Sequence, residues 1–108
     1  MPDEVILVLT NMPDREGALS LARALTAQRL AACVNIGSPV DSMYHWRGKI
    51  ETAQEIPVAI KTRQALYLQV ERAILATHPN ELPEIIAVRL SDGYIPYLDW
   101  IAAETAPR

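Results

Sequence analysis

A single cysteine, four glycines and no long apolar run set the first bounds on this chain. With Cys33 alone, no intramolecular disulfide can form, which suits a reducing compartment. So few glycines argue against a phosphate-cradling loop, and no Walker loop, GxGxxG, HExxH or GxSxG occurs. The apolar run nearest the start, Val5 to Leu9, is too short to cross a bilayer, so no membrane partner is expected. Basic excess is also missing: the formal net charge is -3. The cations (Arg15, Arg23, Arg29, Arg47, Lys49, Lys61, Arg63, Arg72, Arg89, Arg108) are scattered. No nucleic-acid partner is expected from such a charge pattern. The opening Met-Pro-Asp-Glu is acidic and lacks the basic start of a signal peptide, so the expected location is cytoplasmic.

What is present is ordinary globular material. Half of the 108 residues are hydrophobic and 21% are charged, enough for one core, and residues 1–108 read as a single domain. Glu4–Thr10 is a β-branched apolar run, predicted as a buried strand. Asp14 is a candidate N-cap for a helix carrying Ala18, Leu21, Ala22 and Leu25 on one face. Cys33 to Trp46 and Lys49 to Thr62 read as two extended arms joined by a tight turn at Arg47-Gly48. Pro39 and Pro57 fall inside those arms, where bulges or edge positions are expected. Gln64 to Thr77 returns to helical spacing and stops at His78-Pro79. Pro83 to Leu90 shows little alternation and reads as a strand covered on both faces. A short helix carrying Leu98, Ile101 and Ala102 follows Gly93. The order βαββαβ plus a terminal helix predicts an α+β, ferredoxin-like sandwich with a long central hairpin and an extra C-terminal helix.

The hairpin is too long for such a body. Arms of about 15 residues at about 3.3 Å each reach about 50 Å, against a diameter of about 34 Å for a compact chain of this size. A projecting ribbon bearing Val40, Tyr44, Trp46 and Ile50 would be marginal alone. The arms must therefore bend at the prolines or pack on neighbouring subunits, and an oligomer is expected.

Among chemically capable residues, His78 and Cys33 are the leading metal-ligand candidates, with His45 behind them. Glu81 and Glu84 lie near His78, and imidazole with carboxylate or thiolate suits copper or zinc. The competing readings are a helix C-cap for His78 and a small core residue for Cys33. Trp46, Tyr44 and Tyr97 would line a ligand cleft or form oligomer contacts. Lys61 reads as an anion contact or a snorkelling lysine, and Glu51 with Glu55 as an acid/base pair or a solvated face. A phosphate-hydrolysing loop would need glycines after the first strand. Asn11-Met-Pro-Asp14 has none and carries a carboxylate, so the chain is not expected to be an enzyme.

Five segments in order resemble the CutA family, the divalent-cation tolerance proteins. They are Leu30-Ala-Ala-Cys-Val-Asn-Ile36, Tyr44-His-Trp-Arg-Gly-Lys-Ile-Glu51, Ile60-Lys-Thr62, His78-Pro79 with Pro83-Glu-Ile85, and Gly93 to Trp100. The resemblance implies ferredoxin-like subunits assembled as a homotrimer through long hairpins. It also implies a role in tolerance of copper and other divalent cations, some members binding copper. By position it implies metal contact at His78 and Cys33, with Glu84 beside them. It places Trp46, Glu51 and Lys61 at characteristic hairpin positions; these three and Tyr97 are the candidate ligand contacts. No cofactor is implied beyond a divalent ion such as Cu or Zn. The alternative is a PII-like trimeric small-ligand sensor. This chain departs from the pattern at Asn80, Thr10 and Thr77, which stand where relatives carry tyrosine, cysteine and histidine. A copper site built on those positions would keep His78 alone.

Overall fold

The computed structural model describes residues 4–107; Met1, Pro2, Asp3 and Arg108 lie outside the described residues. Strand β1 (Val5–Met12) is followed by helix α1 (Arg15–Ala27) and strand β2 (Cys33–Ile36). Next come β3 (Val40–Trp46) and β4 (Lys49–Arg63). A 3-10 turn (Gln64–Leu66) leads into α2 (Tyr67–Thr77), then β5 (Ile85–Arg89) and α3 (Ile95–Glu104).

All strand pairs are antiparallel, in the order β2-β4-β1-β5, with β3 also paired to β4. This is the expected ferredoxin-like arrangement. Alternation decides which side chains face the core. Ile6, Val8, Thr10 and Met12 of β1 are buried with Ile56, Val58, Ile60 and Thr62 of β4, against Leu21, Leu25, Val70 and Ile74 of the helices. Leu7, Leu9 and Asn11 point to the opposite face and are half-buried.

Asp14 starts α1 as expected: its backbone is extended and its carboxylate accepts the Gly17 N–H at 2.7 Å. The far end closes without a glycine. Arg29 takes a left-handed φ of 58°, and Leu30 N–H bonds back to Leu25 O at 2.9 Å. This is the Schellman closure with arginine in the glycine place. Its guanidinium then reaches the Ala103 and Ala106 carbonyls at 3.4 and 3.5 Å, tying α1 to the end of α3.

The first predicted arm is two strands. Ile36 faces Val58 and Val40 faces Glu55, so residues 37–39 oppose only 56–57. That one-residue excess is a bulge at Pro39. Pro57 sits opposite it and costs the sheet nothing: its carbonyl accepts Gly37 N–H at 2.9 Å, so its missing N–H faces the same bulged gap. The β1–β4 ladder runs through Pro57 unbroken, from Val5↔Arg63 to Met12↔Ile56.

Two expectations change. The strand predicted at Pro83–Leu90 shortens to Ile85–Arg89, since its partner register ends at Thr10↔Ile85 and proline cannot donate to a ladder. It is an edge strand, and Ile86 and Val88 are 50% and 47% exposed, so one face is open. The face of the sheet away from α1 and α2 is partly covered. Helix α3 covers the end carrying Lys61 and Arg63, with Ile101 fully buried beneath it.

The β3–β4 ribbon projects. The radius of gyration is 14.6 Å, against about 13 Å for a compact chain of this length. The molecule measures 46 × 27 × 23 Å. The tip is the expected tight turn, with φ of 49° at Arg47 and 80° at Gly48, the signs of a type I′ hairpin.

Candidate functional site

The structure divides the candidate residues between two places. The first lies where the ribbon leaves the body. An open cleft of about 820 Å³ runs between β3 and the 80–84 segment. Consecutive residues Ser42 to Trp46 all border it, so the free edge of β3 forms the wall and not one of its faces. Asn11, Glu55 and residues 80–84 complete the lining. At the lip, the Arg47 guanidinium lies 5.2 Å from the Trp46 ring centroid and donates to Glu81 at 2.7 Å. Both partners of that pair are well exposed, so it adds little to stability.

His78 sits behind this cleft as the C-cap of α2, its own N–H bonded to Ile74 O at 2.8 Å. Asn80 N–H donates to Nδ1 at 3.1 Å. That leaves the ring proton on Nε2, which donates to Asn11 O at 2.6 Å. The ring is buried and both nitrogens are engaged. Asn11 is therefore the residue that sequence reading misses. Its carbonyl holds His78, and its side-chain amide donates to Glu84 at 3.4 Å. Nothing about an asparagine at a strand end signals that link in advance.

The second place is the far face of the sheet. Cys33 pairs with Lys61 across β2–β4, so the two side chains share that face, Cβ atoms about 5 Å apart. Cys33 Sγ makes only a weak contact with Asn35 Oδ1 at 3.9 Å. Lys61 Nζ donates to Tyr97 OH at 3.3 Å and lies 5.5 Å from the Tyr97 ring centroid. Tyr97 in turn stacks on Trp100, with centroids 5.6 Å apart and planes at 26°.

Along β4, Lys61 and Pro57 mark the levels of Cys33 and Asn11. Four residues separate those levels by about 13 Å. Cys33 thus does not meet His78 and Glu84 within one chain. Among the described residues, no group of three or more His, Cys, Asp or Glu side chains converges to hold a metal ion. Trp46 belongs to the cleft, Lys61 and Tyr97 to the far face, and Glu51 stands opposite Tyr44 on the exposed ribbon.

Comparison with known proteins shows the family and agrees with the fold. Residues 6–104 match the family described as CutA1 divalent ion tolerance protein. The chain is similar to divalent-cation tolerance protein CutA of Thermus thermophilus, 37% identical over 103 residues, which are 95% of this chain and 98% of that one. It is also similar to protein CutA of Homo sapiens, 36% identical over 97% of this chain but only 59% of the human protein's length. The crystal structure of CutA from Xylella fastidiosa superposes with a TM-score of 0.92 at 42% identity, covering 95% of this chain and 99% of that one. The chain belongs to the CutA1 family.

Proposed function

We propose that this CutA1-family chain works as a homotrimer in divalent-cation tolerance. In this reading it resides in the cytoplasm, catalyses no reaction, and has neither nucleic acid nor membrane as partner. The observation that carries the assembly is the ribbon. Val40, Met43, Tyr44 and Ile50 are exposed along it, and Ile86 and Val88 are exposed on the sheet beside it. A two-stranded ribbon has little stability of its own, and an open apolar edge invites pairing. Three copies packed hairpin to sheet would cover both surfaces at once. Among the described residues, no helix is long and apolar enough to cross a membrane.

In this reading the metal, copper or zinc, is cargo. A single chain does not offer a ready donor set. His78 would join Glu84 on an ion only after releasing the Asn11 carbonyl, a hydrogen bond worth about 1 kcal/mol. Cys33 would serve a separate contact on the far face. Tight binding therefore requires donors from more than one subunit. Calorimetric titration of metal-stripped protein with Cu²⁺ and Zn²⁺ tests this, using wild type, His78→Ala, Glu84→Gln and Cys33→Ser. The proposal expects saturable binding to the assembled form, weakened in Glu84→Gln. Absence of saturable heat for either ion would end the metal-binding part.

A further inference from the structure

Opposite charges stand unpaired on one continuous face of this chain. On the sheet away from α1 and α2, Lys61 lies between Cys33 of β2 and Leu7 of β1, with Val88 of β5 next in the same row. Lys61 is half-buried there, and its partners are the neutral hydroxyl and ring of Tyr97. Partly desolvated charges are ordinarily paired with opposite ones. Strand β4 runs without a break from Lys49 to Arg63, so alternation puts Glu51, Glu55 and Lys61 on the same face. On the ribbon, Tyr44 stands opposite Glu51 and Val40 opposite Glu55. Among the described residues, no ion pair joins Lys61, Glu51 or Glu55. The sheet part of this face is thus apolar with a cation, and the ribbon part apolar with carboxylates. One chain does not bring them together: along the strand, Glu55 is about 20 Å and Glu51 about 33 Å from Lys61.

We propose that in the assembled protein Glu51 on the ribbon of one copy pairs with Lys61 on the helix-free sheet face of the next, and that this contact sets which ribbon face is buried and in what register. The inference rests on the homotrimer reading and adds the residues that align the copies. Reach selects Glu51 over Glu55. The last rung joining β4 to β1 is Met12↔Ile56, so Glu55 sits at the root of the ribbon, whereas Glu51 lies five residues, about 17 Å, beyond that rung. Apolar neighbours then flank the pair on both sides, Tyr44 on one copy and Leu7 with Val88 on the other. Apolar burial supplies the affinity. The ion pair supplies the register, because any other placement leaves two desolvated charges unpaired.

The test is sedimentation equilibrium of the full chain at low ionic strength, at the urea concentration that half-dissociates the wild type. Variants are Lys61→Glu, Glu51→Lys, Glu55→Lys, and Lys61→Glu combined with each of the other two. Lys61→Glu and Glu51→Lys alone each set like charges together at every subunit contact and should weaken association at least about tenfold. Combining them restores opposite charges and should recover most of that loss, a recovery that a merely misfolded variant would not show. A wild type that is monomeric without urea would end the homotrimer reading and this contact with it. A wild-type trimer whose Lys61→Glu and Glu51→Lys variants associate as tightly as the wild type would overturn the contact alone, as would a combination no better than either single variant. Rescue of Lys61→Glu by Glu55→Lys in place of Glu51→Lys would overturn the register.

Discussion

His78 shows how much depends on one side chain's neighbours. Its imidazole bridges Asn11 and Asn80 while its backbone ends α2, so three segments meet at one ring. His78→Ala would remove the hydrogen bonds to the Asn11 carbonyl and from the Asn80 N–H and leave a void where the buried ring packs. A loss of about 1–3 kcal/mol is expected in urea unfolding, and an unchanged midpoint would show that the ring is dispensable to the fold. Thr10 gives the opposite sign. Its Oγ1 is buried with no hydrogen-bond partner among the described residues. Thr10→Val keeps the shape and removes the orphan hydroxyl, so stability should rise by about 1 kcal/mol. A lower midpoint would mean the hydroxyl is satisfied. At this scale the sequence was partly legible. The C-cap reading of His78 follows from the proline after it, whereas the orphan at Thr10 depends on how the core face of β1 is buried in the folded chain.

Elements were the most readable level, because their signals are local. Asp14 announces α1 through a capping contact three residues long, and Asp14→Ala should cost about 1 kcal/mol in thermal or urea unfolding. An unchanged midpoint would mean that the cap contributes nothing here. The ribbon turn is equally local. Gly48 has φ of 80° and open space where a Cβ would stand. Gly48→Val should therefore be penalised by backbone conformation alone, by about 1–2 kcal/mol, with no steric clash to relieve. A compensating gain in stability would contradict the turn geometry. Boundaries set by pairing were less legible. Apolar Ile86 and Val88 read as covered because composition reports preference for burial, not the presence of a cover. The bulge at residues 37–39 was foreshadowed by Pro39, but its one-residue size emerges only from the register of β4 against β2 and β3.

At the scale of the whole molecule, one chain looks unfinished. The ribbon extends the molecule to 46 Å along one axis while the other two measure 27 and 23 Å, and its apolar side chains are open to water. Chain length against domain size made that visible from the sequence, since the argument needs only the strand rise and the size of a compact body. The candidate site was harder to foresee. Residues that were candidates for one site went to different places, Cys33 and Lys61 to the far face and His78 and Glu84 to the base of the ribbon. That division follows from strand order, which spacing along the chain does not encode. It also bears on metal handling: donors separated by about 13 Å along the sheet cooperate on one ion only across subunits.

The central claim, assembly through the ribbon, is tested most directly by sedimentation equilibrium over a hundredfold dilution, with thermal unfolding followed at the same concentrations. A trimer requires a mass of 36 kDa, three times the 12.0 kDa chain, and a melting midpoint that rises with protein concentration as folding and association couple. A species of 12.0 kDa that unfolds cooperatively at one midpoint across the whole range would contradict the account.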